Sequence, residues 1–399
     1  MADKKKSSSK HVESDAVIDR DDMAVLLQKE LNKANKDGSK SSYFLDEEDD
    51  PSLVTDWLST GSTLLDLAIS NRKNGGMPAG KFIELSGLEG TGKSLLCAQM
   101  IAETQRRGGL AVFFDSEFAV DKTFWSALGI NVKNVNYVPF VTLEELFTKM
   151  ELCIGAFRKV NKDRLLTIFV DSLTQASVES EMEGEHGVSG YNTGKAIIIA
   201  KAMRKITGLI ARQRILTVFT NQLRYNMQTG GNPNAEKWIT PGGKAFPYAC
   251  SVRVRFANLG KLTKGEGDKK QVIGMKAQAQ VIKNRMGPNW RTSAFEIHYD
   301  SGIQNYKSWI DFMKLHGIIT GTWQNWKFVK KDGTKVEFST AEFVDLMGKD
   351  AELKSEVYDQ ICDKYIMQYR NPDTKPIEEG LEETGDEDDD ITKNSVKDE

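Results

Sequence analysis

The residue types best suited to chemistry gather in one short stretch of the first quarter of the chain. Ile83, Glu84, Leu85 and Ser86 lead into Gly87-Leu88-Glu89-Gly90-Thr91-Gly92-Lys93-Ser94, and the helical pattern Leu95-Leu96-Cys97-Ala98-Gln99-Met100 follows. Strand, glycine loop and helix, in that order, are the context a phosphate-binding loop (Walker A, or P-loop) requires. Gly87, Gly90 and Gly92 allow a tight turn that aims successive N–H groups at phosphate oxygens. Lys93 then reaches the terminal phosphates, and the Ser94 hydroxyl is a ligand for magnesium. A nucleotide phosphate and Mg²⁺ are therefore the expected ligands of this loop.

Three more segments end in polar groups after an apolar run. Leu166-Thr167-Ile168-Phe169-Val170 runs into Asp171, which has the form of the acidic residue that helps hold magnesium in such sites. Ala111-Val112-Phe113-Phe114 runs into Asp115-Ser116-Glu117. A carboxylate at the C-terminal edge of such a strand faces the ligand crevice, so either Asp115 or Glu117 could activate the attacking water; spacing alone does not rank them. The run 215–220 leads into Asn221-Gln222-Leu223-Arg224 and then a long segment rich in Gly, Asn, Thr and Pro up to Phe246. Such a loop after a strand at the nucleotide is often functional. Gln222 is placed to sense a γ-phosphate or, equally, to act as a structural amide cap.

These groups need a sheet to hold them. Buried strands are expected at 82–85, 111–114, 136–139, 166–170, 215–220 and 252–256, with helices at 93–107, 142–158 and 193–213. Continuous apolar strands separated by helices predict an α/β fold: a mostly parallel sheet covered on both faces. Strands at 271–283 and 294–299 predict an antiparallel extension. Before this core, residues 21–32 have helical spacing and Ser42-Tyr43-Phe44-Leu45 reads as a short strand. Neither can bury itself alone, so docking on the core sheet or on a neighbouring copy is expected. After the core, a hairpin over 326–338 turns at Asp332-Gly333, and helices follow near 340–348 and 351–368. The expected domains are a disordered tail at 1–20, an N-terminal oligomerisation helix and strand at 21–52, a core at 53–304, a small α+β domain at 305–370 and an acidic disordered tail at 371–399.

The charge of the 399-residue chain is unevenly spread. The net charge is −3, yet residues 373–399 carry 12 acidic and 3 basic side chains, while residues 195–307 carry 20 basic and 5 acidic ones. A basic block of that size suggests a polyanion partner or, on composition alone, a solvated face balanced in space by other segments. No apolar run is long enough to span a membrane, and the start of the chain lacks the hydrophobic middle of a secretory signal. Four scattered cysteines read as reduced, packed thiols, so a cytoplasmic location is expected.

Taken in order, Leu58-Ser59-Thr60-Gly61-Ser62, Phe114-Asp115-Ser116-Glu117, Val170-Asp171-Ser172, Ala202-Met203-Arg204-Lys205, Asn221-Gln222-Leu223-Arg224, Gly231-Asn232-Pro233 and Lys283-Asn284-Arg285 resemble the RecA-type recombinases, most closely their bacteriophage UvsX-like branch. The resemblance covers about residues 20–370. It implies a RecA-like ATPase core, with Glu117 as the catalytic carboxylate, Asp121 and Phe124 beside the adenine, and Gln222 as the γ-phosphate sensor. It also implies that Lys283 and Arg285 reach the ATP of the adjacent subunit, in the manner of arginine fingers. Two DNA-facing loops are implied near 183–193 and 224–246, with Arg204, Arg224, Lys237, Gly242, Gly243 and Lys244 as DNA-binding residues. Ile197, Asn226 and Pro247 depart from the family pattern; Lys195, Lys201 or Tyr191 are candidate substitutes for the basic contacts missing at Ile197 and Asn226.

The implied function is a DNA-dependent ATPase that forms a helical filament on single-stranded DNA and catalyses homologous pairing and strand exchange with duplex DNA. Partners would be both DNA forms and further copies of the chain, with a loading mediator and a single-strand-binding protein as open candidates. The alternatives are a helicase-like ring motor with the same fold and a filament mediator that binds ATP without useful turnover.

Overall fold

A computed structural model of the chain describes residues 20–35, 39–47, 50, 52–54, 56–161, 163–183, 191–211, 213–226, 238–240 and 243–369. Two compact units emerge, Met1–Leu53 and Val54–Glu399. The expected tails lie outside the described residues, save Arg20.

In the first unit, helix α1 (Asp22–Lys33) begins at Asp21, whose carboxylate accepts from the N–H groups of Met23 and Ala24. None of its residues is buried, and Met23, Leu26, Leu27 and Leu31 are exposed. Residues 42–45 do not form the expected strand. Side chains satisfy this backbone instead of a ladder. Asn32 Oδ1 accepts from the N–H groups of Ser41 and Ser42, both at 2.8 Å, and Glu47 accepts from the N–H of Phe44 at 3.0 Å. Among the described residues of this unit there is no second strand to pair with 42–45, so side chains take these bonds.

The second unit is built on a nine-stranded sheet. Its strands are β1 (Phe82–Gly87), β2 (Leu110–Asp115), β3 (Val135–Pro139), β4 (Leu166–Asp171), β5 (Ile215–Gln222), β6 (Val252–Lys264), β7 (Gln271–Asn284), β8 (Thr292–His298) and β9 (Gly302–Ile303). Their order is β9-β8-β7-β6-β1-β5-β4-β2-β3. From β6 to β3 every pair is parallel, and from β6 to β9 every pair is antiparallel. The fold is α/β, with the expected antiparallel extension.

Strand alternation feeds two apolar layers. Ile83 and Leu85 face one layer, shared with Leu96, Met100 and Ile101 of helix α3 (Lys93–Arg106). Phe82 faces the other, shared with Leu146 and Met150 of α5 (Leu143–Val160) and Met203 and Ile206 of α6 (Tyr191–Ile210). Between α3 and α5 lies the short helix α4 (Lys122–Ala127).

Helix α2 (Thr63–Ser70) has no counterpart among the expected elements: it is short, and Leu64–Ser70 are buried all round, Asp66 and Ser70 included, so no polar face sets off an apolar stripe. Leu65, Ala68 and Ile69 enter the sheet layer, while Leu64 and Leu67 enter a third cluster. That cluster belongs to α7 (Asn305–Leu315), a three-stranded antiparallel sheet of β10 (Ile319–Thr322), β11 (Asn325–Val329) and β12 (Lys335–Phe338), and helices α8 (Thr340–Lys349) and α9 (Ala351–Tyr365). The β11–β12 hairpin is the expected one; β10 adds a third strand.

Candidate active site

The C-terminal ends of β1, β2, β4 and β5 carry the groups singled out in the sequence. Gly87 closes β1, and its conformation leaves no room for a side chain: a Cβ there would stand 2.7 Å from Thr91 Oγ1 and 2.8 Å from the Phe256 carbonyl. Gly90 and Gly92 turn the loop at φ +65° and +92°, a region that favours glycine. Gly92 is also the N-cap of α3, and no side chain caps that end. The first N–H groups of α3 are thereby left for an anion. Lys93 is buried and folds back on the loop, its Nζ donating to the carbonyls of Gly87 at 3.0 Å and Leu88 at 2.7 Å. Ser94 beside it is exposed. Leu88, Glu89 and Thr91 complete the turn, and Thr91 Oγ1 donates to the Leu88 carbonyl.

The carboxylates at the ends of β2 and β4 have different surroundings. Asp115 is 2 % exposed, and its two oxygens accept from the N–H groups of Glu117, Phe118 and Ala119 and from the Tyr137 hydroxyl. Four donors commit it to holding the turn. Among the described residues, Glu117 accepts one side-chain bond, from Ser172 Oγ at 3.2 Å. Burial first, and then the charges of Asp171 and Asp115, push the Glu117 carboxyl above the usual carboxylate range, against the opposing pull of Ser172 and Lys93. Asp171 at the end of β4 accepts from Thr220 Oγ1 of β5. The β2 and β4 ends are joined by Ser116, whose Oγ donates to the Ser172 carbonyl at 2.9 Å and accepts from the Ser172 N–H at 3.0 Å. Lys93 feels Asp171 and Glu117 as opposite charges, yet burial outweighs them and draws its ammonium below the ordinary lysine range.

Gln222 ends β5 directly opposite Gly87 in the β1–β5 register. Its N–H donates to Thr174 Oγ1, and the next residue, Leu223, donates to the Gly87 carbonyl. Beneath the loop runs a buried polar chain that sequence patterns did not reveal. Thr174 Oγ1 donates to Asn221 Oδ1 at 2.6 Å, Asn221 Nδ2 donates to Glu84 at 3.0 Å, and Arg253 of β6 donates to the other Glu84 oxygen. Arg253 lies opposite Lys283 of β7.

A cavity of about 370 Å³ opens beside the loop, lined by residues 90–95 together with Phe124, Met275, Ile297 and Tyr299. Phe124 comes from α4, where Asp121 is the N-cap: its Oδ1 accepts from the N–H groups of Thr123 and Phe124. Asp121 itself does not line the cavity. Tyr299 and Ile297 come from the end of β8, over two hundred positions after the loop, so only the sheet brings them to it.

A sequence family described as the RecA N-terminal domain matches residues 25–304. The chain belongs to the RecA family. It is 30% identical to Protein RecA of Clostridium acetobutylicum over 340 residues, which cover 83% of this chain and 89% of that one. The corresponding figures for Heliobacterium modesticaldum are 30% over 304 residues, 75% and 83%, and for Rickettsia conorii 33% over 285 residues, 70% and 77%. The protein is a RecA-type recombinase of DNA recombination and repair, and the family implies ATP, Mg²⁺, single-stranded DNA and self-association.

The remaining RecA-type positions lie apart from the loop. Lys283 Nζ donates to the carbonyls of Pro247 and Tyr248 at 2.7 and 3.0 Å, and Arg285 Nη2 to that of Tyr248 at 3.1 Å. Both grip the short helix Ala245–Ala249. Burial, and then the Arg285 charge, lower the Lys283 ammonium. Arg204 is exposed on α6, and Arg224 is exposed in a two-residue strand, Arg224–Tyr225, paired with Trp238–Ile239. Gly243, at φ +68°, passes so near α6 that a Cβ would stand 2.9 Å from that of Ala196. Lys244 next to it is exposed. Lys237, Gly242 and residues 184–190 of the first loop lie outside the described residues. Among the described residues, no helix is long and apolar enough to cross a membrane.

Proposed function

We propose that this recombinase is a DNA-dependent ATPase that polymerises on single-stranded DNA and carries out homologous pairing and strand exchange. The observation that carries the catalytic reading is the division of labour between two neighbouring carboxylates. Asp115 is consumed by four donors, whereas Glu117 keeps oxygen valence for water and has a raised proton affinity, as a general base needs.

The glycine cradle and the uncapped start of α3 fit a nucleotide triphosphate, and Ser94 and Asp171 supply the hard oxygens that magnesium prefers. When bound, Mg²⁺ and ATP supply a polarised phosphoryl group for transfer. Lys93, now on loop carbonyls, would move to the terminal phosphates; Glu117 would orient water and take its proton; Gln222, in register with Gly87, would carry the state of the phosphates into the loop that follows β5. Phe124 would offer an aromatic face to the base, with Tyr299 as a second one, and Asp121 an acceptor oxygen.

Lys283 and Arg285 would engage the ATP of an adjoining copy, making nucleotide part of the protomer boundary. In this reading α1, with its unburied leucines, covers a neighbouring copy. DNA would be held at its phosphates by Arg204, Arg224, Lys237 and Lys244, with Gly242 and Gly243 giving close backbone approach. Such contacts carry no sequence information, so homology is read by base pairing between the strands. The 30–33% identity to bacterial relatives and the departures at Ile197 and Asn226 suit a divergent branch, such as the phage UvsX-like one.

The Lys93→Ala variant tests the reading. Joint-molecule formation between single-stranded and homologous duplex DNA should disappear together with ATP binding. Undiminished pairing by a variant that binds no ATP would overturn it.

A further inference from the structure

Phe118 stands out beside the candidate base. It is 60 % exposed, and its backbone is left-handed, at φ +57°. The other described non-glycine residues with positive φ are Asn71, Asn74 and Trp290. Asparagine tolerates this region, but a bulky side chain does so only under constraint. Asp115 provides that constraint, because its oxygens bind the N–H groups of residues 117, 118 and 119 in succession. The fold thus holds a phenyl ring out in solvent, in a strained turn, one residue from Glu117. Strain stored at such a place points to a contact the isolated chain does not make.

The distribution of charge on this unit indicates what makes it. Glu117, Asp115 and Asp171 gather negative charge at this strand edge. Lys283 and Arg285 present positive charge elsewhere on the same unit, and among the described residues their heads bond main-chain carbonyls of Pro247 and Tyr248. One face complements the other, which fits a head-to-tail contact between copies. We propose that Phe118 is the docking platform for the Arg285 segment of a second copy of this chain. The guanidinium would lie on the phenyl face as Lys283 and Arg285 approach the phosphates, so that Phe118 steers the basic arm toward the site. This rests on the trans reading above and adds a residue that no part of it requires.

The test compares full-length wild type with Phe118→Gly, Phe118→Leu and Arg285→Ala, each with single-stranded DNA, ATP and Mg²⁺. Glycine relieves the strained backbone, so Phe118→Gly should melt at the same temperature or roughly one to two degrees higher. It should nevertheless need roughly fivefold more protein for half-maximal ATPase and filament scattering. Phe118→Leu, apolar but without a ring face, should fall between. Binding of a fluorescent ATP analogue by dilute Phe118→Gly or Phe118→Leu should match that of wild type.

Assembly of Phe118→Gly at wild-type concentrations would overturn the proposal, as would a fall in melting temperature that parallels the loss of assembly. If Arg285→Ala raises the threshold and Phe118→Gly does not, this inference alone fails. If Arg285→Ala has no effect, the trans reading fails and the docking proposal with it.

Discussion

Glu117 holds its proton more tightly than an ordinary carboxylate, and the reasons are local and separable. Burial is the largest cause; the Asp171 and Asp115 charges add to it; the Ser172 hydroxyl and the Lys93 ammonium oppose it. A general base works only when deprotonated, so activity should be present above the raised pKa and lost as pH falls through it. Ser172 stabilises the ionised form, so removing its hydroxyl must raise the pKa further. We therefore expect Ser172→Ala to move the acid limb of DNA-stimulated ATP hydrolysis to higher pH while leaving the rate on the plateau within about twofold. A pH–rate profile of phosphate release checks this, and an unmoved acid limb would detach Glu117 from the rate-limiting proton transfer.

Among elements, the joint between the start of the core and the strands behind it depends on one carboxylate. Asp56 is 5 % exposed and accepts from Arg107 at 2.6 Å through one oxygen and from Arg214 at 2.6 and 3.1 Å through the other. Burial alone would raise its pKa, but the two guanidinium groups prevail and hold it below the usual range. These arginines leave the C-terminal end of α3 and the turn before β5, so Asp56 ties the helix that presents Lys93 to the strand that presents Gln222. Truncation leaves two partly buried cations without their acceptor. Asp56→Ala should lower unfolding free energy by about 2–3 kcal/mol, discounted from the figure for fully buried pairs because both arginines reach solvent. Urea denaturation followed by far-UV circular dichroism measures it; a change below about 0.5 kcal/mol would show that the joint is held elsewhere.

At the scale of the assembly, a site divided between copies has a signature no self-contained enzyme shares. Lys93→Ala damages the phosphate loop and leaves the basic arm intact; Arg285→Ala does the reverse. Each variant alone should hydrolyse little ATP with DNA. Mixed in equal amounts, they should form boundaries at which an intact loop meets an intact arm, restoring roughly a quarter of wild-type turnover if pairing is random and head-to-tail. Additive activity on mixing would mean that Lys283 and Arg285 serve their own chain. The charge map bears on the same scale: the basic block at 195–307 spans α6, the Arg224 segment and the β6–β7 pair, whereas the acidic run at 373–399 lies outside the described residues.

Much of this was legible from local pattern, because local pattern is what certain features are made of. A phosphate loop is a run of glycines between a strand and a helix; continuous apolar runs separated by helical spacing marked out the parallel sheet, and the Asp332-Gly333 turn marked the hairpin. What local pattern could not carry were relations between distant residues. The ranking of Asp115 against Glu117 depends on where three N–H groups and the Tyr137 hydroxyl point, which no spacing encodes. Helix α2 escaped notice because burial on all sides removes the amphipathic stripe. Segment 42–45 is strand-like in composition, but strands exist only in pairs, and Asn32 and Glu47 took its hydrogen bonds instead. Tyr299 enters the loop's cavity, and Asp56 meets its two arginines, only after the chain has closed a sheet between them. The chemistry was written in contiguous residues; which group is free to perform it is decided by contacts across the fold, since a side chain's availability depends on what its neighbours have already bound.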